Sequence, residues 1–184
     1  MPQIIKQRTR FFLAVEGESE QSFVTWLQTL SAERGLPIHL DDVLLGGGGF
    51  KSMLDKAVRE HNKRCRRNGA YRDRFLIVDG DRAGQGDWSI ERLKQEAAQY
   101  EITVCVQRPN HEGLLFRMKF GHEREIPSAA SAETKLKIHW PNYQKPTNAH
   151  TLGRRFSLDD LLRVANVDMD FATLLKKIGL ISEP

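Results

Sequence analysis

Long apolar runs are missing from this 184-residue chain. No stretch approaches the ~20 residues needed to span a bilayer, and the N-terminus lacks the apolar core of a signal peptide, so no membrane partner is expected and the expected location is the cytoplasm. Cysteine is scarce too: the two present, Cys65 and Cys105, are far apart and sit in no CxxC or Cys/His pattern. That spacing makes no disulfide framework, fits a reducing compartment and argues against zinc. The histidines are scattered, without HxH or HExxH spacing. His111, beside Glu112, is the one that draws notice, and a loop histidine without chemistry is its simpler reading. What remains is a soluble globular composition, 40% hydrophobic and 28% charged, of a length that suits one domain with a small appendage. The net charge of +4 permits a polyanionic partner without demanding one.

Taken in order, the residues alternate between strand and helix patterns. Thr9 to Val15 reads as a strand, followed by a helix that Ser19 would cap and that carries Phe23, Trp26, Leu27 and Leu30 as one apolar stripe. Ile38 to Leu45 reads as a second strand, running into Gly46-Gly47-Gly48-Gly49 and a helix over Phe50 to Arg67. A third strand follows an Asn68-Gly69 turn, then a flexible connection at Ala83 to Asp87, a helix from about Trp88 to Tyr100, and a fourth strand, Ile102 to Val106. An apolar helix with Leu114, Leu115, Phe116 and Met118 comes next. Four strands separated by helices predict an α/β fold, a mainly parallel four-stranded sheet flanked by helices. The expected core spans 1–120. Residues 121–150, with three prolines and no clean period, read as a long irregular segment. A C-terminal pair of short helices follows, one capped by Ser157 and one over Asp170 to Ile178.

The third strand carries the strongest signal. Arg74-Phe75-Leu76-Ile77-Val78 ends in Asp79-Gly80-Asp81-Arg82, a buried parallel strand delivering two carboxylates at the edge where open α/β sheets bind ligands. Two hard oxygen donors suit Mg²⁺ or Mn²⁺. An Asp-Gly-Asp loop that merely caps the next helix would look the same. In a parallel sheet Glu16, after strand one, and Glu112, after strand four, reach that same edge, although either one alone reads equally as an acid complementing a helix dipole. Four acids so placed would repel and raise one another's pKa unless a cation neutralised them.

Val15-Glu16-Gly17-Glu18-Ser19-Glu20, the glycine-rich turn, Val78-Asp79-Gly80-Asp81 and the Asn110-x-Glu112 stretch together resemble a Toprim domain over about residues 9 to 120. More narrowly, they resemble the RloB-like (AbiLii-type) proteins of bacterial defence loci. The family's Pro-x-Phe-Glu-x-Trp-Leu pattern appears here as Pro109-Asn110-His111-Glu112-Gly113-Leu114-Leu115, with the aromatic residues replaced, and its Tyr-x-Lys as Tyr143-Gln144-Lys145. The resemblance implies Toprim/Rossmann-like architecture and Mg²⁺-dependent phosphodiester chemistry on DNA or RNA. Glu16, Asp79 and Asp81 would be the metal ligands, with Glu16 also a general acid or base. Proton relay by Glu16 or Glu112 and charge stabilisation by Lys145, Arg82 or Lys51 complete that mechanism. Each of those cations also reads as an ordinary solvated one.

Two further features bear on partners. Gly46 to Gly49 followed by Phe50-Lys51-Ser52 has the look of a phosphate loop, yet Phe50 stands where the Walker spacing requires glycine. A strand-to-helix turn, or a close approach to a metal-bound phosphate, is the favoured reading. Arg59, Lys63, Arg64, Arg66, Arg67, Arg72 and Arg74 cluster near the end of the second helix, either as a solvated helix end or as a phosphate-backbone patch in which Arg66 and Arg67 bind nucleic acid. The chain carries no convincing ATPase motif. Two functions from different classes follow: a Toprim-like nuclease, or a regulatory subunit that docks onto an SMC-like or ABC-type ATPase, with a homo-oligomer left open in either case.

Overall fold

Alternation along β1 (Thr9–Val15) sorts the core into two layers. Phe11, Leu13 and Val15 go to one face of the sheet and Phe12 and Ala14 to the other, and all five are buried. Burial on both faces is what a parallel sheet covered by crossover helices requires. In the computed structural model, which describes residues 8–82 and 88–182, β1 pairs in parallel with β2 (Ile38–Leu44) and β3 (Asp73–Asp79), and β3 with β4 (Ile102–Gln107). The strand order is β2-β1-β3-β4. The crossovers are α1 (Glu18–Glu33), α2 (Phe50–Asn68) and α3 (Ile90–Ala98), so the fold is the expected α/β one, a four-stranded parallel sheet flanked by helices. The connection expected at 83–87 lies outside the described residues.

The two layers are filled differently. Met53, Leu54 and Ala57 of α2 and Leu93 and Ala97 of α3 pack on the face carrying Phe12, Ala14, Leu76 and Val78. The opposite face is covered by α1 together with α4 (His111–Arg117), α5 (Ala129–His139), α6 (Ala149–Arg155), α7 (Leu158–Ala165) and α8 (Met169–Lys177). Among the described residues no helix is long and apolar enough to cross a membrane.

Residues 121–150 depart from the expected irregular segment, since they contain α5 and lead into α6. The helical period escapes notice in α5 because only Ala132 and Leu136, four residues apart, are buried. In α6 it rests on Leu152 alone, with Asn148 capping by accepting from the Thr151 amide at 2.8 Å. Ser19 does not cap α1: Gly17 occupies the cap position with extended backbone, and Glu18 and Glu20 meet the positive end of the helix dipole. Ser157 does cap α7, sharing a reciprocal capping box with Asp160.

One buried ion pair fastens α4 to α8. The Arg117 guanidinium donates to Asp168 at 2.7 Å, both side chains being buried, and the same carboxylate caps α8 through the Phe171 amide. Removing one partner strands a buried charge, so Asp168→Ala is expected to lower unfolding free energy by about 3–5 kcal/mol. Urea denaturation followed by circular dichroism checks this. A loss below about 1 kcal/mol would show the pair to be dispensable.

Candidate active site

The register of the sheet decides which acids meet. Val15 lies beside Ile77 in parallel strands, so β1 and β3 release the chain at the same edge, one residue before Glu16 in β1 and at Asp79 in β3. There the Glu16 carboxylate accepts from the Asp79 amide at 3.4 Å through Oε2 and from Arg82 Nε at 2.8 Å through Oε1. The backbone of Glu16 is fixed by the glycine run, whose Gly46 and Gly47 amides donate to its carbonyl at 3.1 and 3.3 Å. Two amides that a phosphate loop would offer are thereby engaged, and the run acts as the turn that seats Glu16.

Beyond Asp79 the chain enters a 3₁₀ turn, Gly80–Arg82. Glycine at 80 permits a close approach, since a Cβ there would stand 3.1 Å from the Gln107 carbonyl oxygen and 3.3 Å from that of Pro109 and would press the neighbouring backbone aside. This closeness lets the Asp81 amide donate to the Pro109 carbonyl at 2.8 Å, while Asn110 Nδ2 donates to Asp81 Oδ2 at 3.1 Å. The other atom of that amide, Oδ1, caps α4 through the Gly113 amide. α4 in turn packs so tightly on the Arg108–Pro109 peptide that a Cβ on Gly113 would fall 2.3 Å from Pro109 Cδ. Glu112 is therefore held on a rigid first turn, buried. Its carboxylate is clamped by the last third of the chain: the Tyr143 hydroxyl donates to Oε1 at 2.7 Å, and Lys145 Nζ lies 2.9 Å from Oε2.

Glu16, Asp79, Arg82, Glu112 and Lys145 thus line one hollow of about 340 Å³, together with Glu20 and His111. Asp81 lies beside it, turned to Asn110. The other expected contacts are elsewhere. Lys51 lines a neighbouring hollow and is paired with Asp55 at 2.7 Å, and Arg66 and Arg67 are exposed in the last turn of α2, far from the carboxylates. The basic cluster is also divided. Arg64 binds Asp41, which Arg10 and Tyr71 share, and Arg74 binds His61 and Glu101, so these two serve the sheet rather than a ligand.

Glu20 was not singled out in the sequence, although it carries a signal: it falls on the buried stripe of α1 with Phe23, Val24 and Leu27, where an acid has no packing reason to be. His111 stacks edge-on against Phe23, with Nδ1 3.2 Å from Gln107 Nε2 and 3.8 Å from Glu20 Oε1, and its Nε2 is buried without a partner.

The electrostatics centre on Asp79. Burial, and then the negative charges of Glu20, Glu16, Asp81 and Glu112, push its carboxyl up to about 9. Its Oδ1 is buried with no hydrogen-bond partner. Burial also raises the Glu16 carboxyl, outweighing the Arg82 guanidinium. At Lys145 burial works against the charge, but Glu112 and Glu133 prevail and the ammonium is held more firmly than usual. Among the described residues no three His, Cys, Asp or Glu side chains are grouped closely enough to hold a metal ion as they stand. The donor set nevertheless fits one: an orphaned carboxylate oxygen in a ring of acids lacks the positive charge that Mg²⁺ or Mn²⁺ would bring, and all the donors are hard oxygens.

No protein-family model, no curated protein and no solved structure matches the chain.

The Asp79 shift has a consequence for stability. The unfolded chain gives up this proton near its ordinary value of 3.8 and the folded chain keeps it to about 9, so between those limits folding takes up a proton and stability falls as pH rises. Asp79→Asn removes the penalty. In metal-free buffer the variant is expected to melt above the native protein at pH 8, with the gap closing as pH approaches 4. Thermal melts across that range test this, and a native protein that is the more stable at pH 8 would refute it.

Proposed function

We propose that the chain is a metal-dependent phosphodiesterase acting on nucleic acid. The observation that carries this reading is the half-buried Asp79 carboxyl at the C-terminal edge of a parallel sheet, among Glu16, Glu20, Asp81 and Glu112, with its Oδ1 buried and unpartnered. Such an arrangement is costly for the folded protein alone, and perturbed acids in a hollow mark functional sites. Glu16, Asp79, Asp81 and Glu20 would hold Mg²⁺ or Mn²⁺, which when bound supplies a Lewis acid and a water of lowered pKa.

The residues of the chain supply the rest. Glu16, whose carboxyl burial holds above its usual range, takes or returns a proton at Oε2 when Arg82 swings to a phosphate oxygen. Lys145, its ammonium reinforced by Glu112 and Glu133, presents a fixed positive charge to the developing charge on phosphorus-bound oxygen. Tyr143 keeps Glu112 oriented. The resemblance of Glu16 to Glu20, Asp79 to Asp81 and Tyr143 to Lys145 to RloB-like Toprim proteins supports a place in bacterial anti-phage defence, in the cytoplasm, with DNA or RNA as substrate. It also supports an SMC-like or ABC-type ATPase as partner, and self-association is compatible with it.

A second reading is favoured by one observation: Arg82 and Lys145 already neutralise Glu16 and Glu112 as salt bridges. On that reading the chain is a regulatory subunit that docks onto the ATPase. Cleavage of labelled DNA and RNA with and without Mg²⁺ separates the two. Asp79→Ala and Asp81→Ala are expected to abolish Mg²⁺-dependent cleavage with the circular dichroism spectrum unchanged, and Glu16→Gln to slow it by about 10²–10⁴-fold. Undiminished cleavage by the aspartate variants, or biological activity that survives them, hands the case to the docking reading.

A further inference from the structure

We propose that the outward face of α2 is the path by which a single nucleic-acid strand leaves the acidic hollow, with one base seated against Trp88. The inference rests on the phosphodiesterase reading for its direction. Three hollows adjoin in line. Arg82 walls both the acidic one and a second of about 510 Å³, which Lys51, Lys56, Arg59 and Trp88 also line. Arg59 and Asp55 are shared in turn with a third, of about 550 Å³, which continues to Lys63, Arg66 and Arg67. The second and third hollows together present seven cations against one acid, and that acid, Asp55, is held by Lys51.

The spacing is regular. Lys51, Asp55, Arg59, Lys63 and Arg67 recur every four residues and so form one ridge along α2, whose 19 residues run about 28 Å. The Lys51–Asp55 and Glu60–Lys63 pairs and the dipole at the helix end favour part of this pattern, whereas the like-charged steps Arg59 to Lys63 and Lys63 to Arg67 are ones that helix stability does not ask for. Arg59, Arg66 and Arg67 make no ion pair among the described residues, unlike Arg64 and Arg74, which lie off this ridge and are consumed by Asp41 and Glu101. These three arginines, with Lys63 held by Glu60 at only 3.6 Å, complement a row of phosphates.

Trp88 selects the strand type. The indole packs on the apolar layer of α2 and α3, carries the Arg92 guanidinium 5.0 Å over its ring, and borders the second hollow. An aromatic wall beside cations binds the face of an unstacked base, which a single strand offers and a duplex, with its bases stacked on one another, does not.

The test is binding in EDTA buffer, without cleavage, using a fluorescein-labelled oligothymidylate and a duplex of equal length. The single strand is expected to bind more tightly and to quench tryptophan emission. That signal reports on Trp88, because Trp26 and Trp140 are buried in the opposite layer. Trp88→Ala should weaken the single strand about tenfold and the duplex far less. Arg59→Ala and Lys63→Ala, on the solvent side of the helix, should each flatten the slope of log affinity against log salt by about 1. Tighter duplex binding with no effect of Trp88→Ala, or salt slopes unmoved by the α2 variants, overturns the path. Strand binding of the expected kind in a protein that never cleaves overturns the phosphodiesterase reading alone, and cleavage without these binding effects overturns the path alone.

Discussion

An uncompensated carboxylate at the end of a buried strand is the constraint around which the other features arrange themselves. Parallel pairing of β1 with β3 leaves no choice about where Glu16 and Asp79 emerge: adjacent strands running the same way must discharge their next residues at the same rim. The fold then supplies counter-charge selectively. Arg82 answers Glu16, and Lys145 with Tyr143 answers Glu112, while the innermost oxygen of Asp79 is given nothing. Burial and like charge act in the same direction on that group, which is why its proton is held so far above the ordinary range.

The sheet separates two kinds of work. The face under α1 and α4 to α8 carries the larger share of the aromatic core and returns Tyr143 and Lys145 to the rim. The face under α2 and α3 has the thinner cover, and the exposed side of α2 bears cations in sequence. A single four-stranded sheet therefore sets a chemical edge between a structural layer and a charged one, and Arg82 stands at their boundary.

Much of the architecture could be read from residues alone, for identifiable reasons. Strands such as Phe75 to Val78 are continuous apolar runs closed by Asp and Gly, and in a parallel sheet such runs have few alternative readings. The acids at their ends follow from the same logic. What escaped was information that only tertiary contact supplies. Glu20 shows in sequence as one more charge in an acidic helix start, and its burial beside His111 of α4 is a tertiary contact. Arg64 and Arg74 seem part of one basic patch with Arg66 until Asp41 and Glu101 claim them. α5 and α6 bury too few residues to print a period.

The clamp on Glu112 has a consequence for how the protein comes into being. Tyr143 and Lys145 come well after the strands whose acids they serve, so Glu112 has no clamp until the chain reaches them. A chain released early, or trimmed behind α4, would keep the sheet's carboxylates yet lack the groups that hold Glu112 in place. Glu112 is thus fixed at this edge only once the chain extends through Lys145.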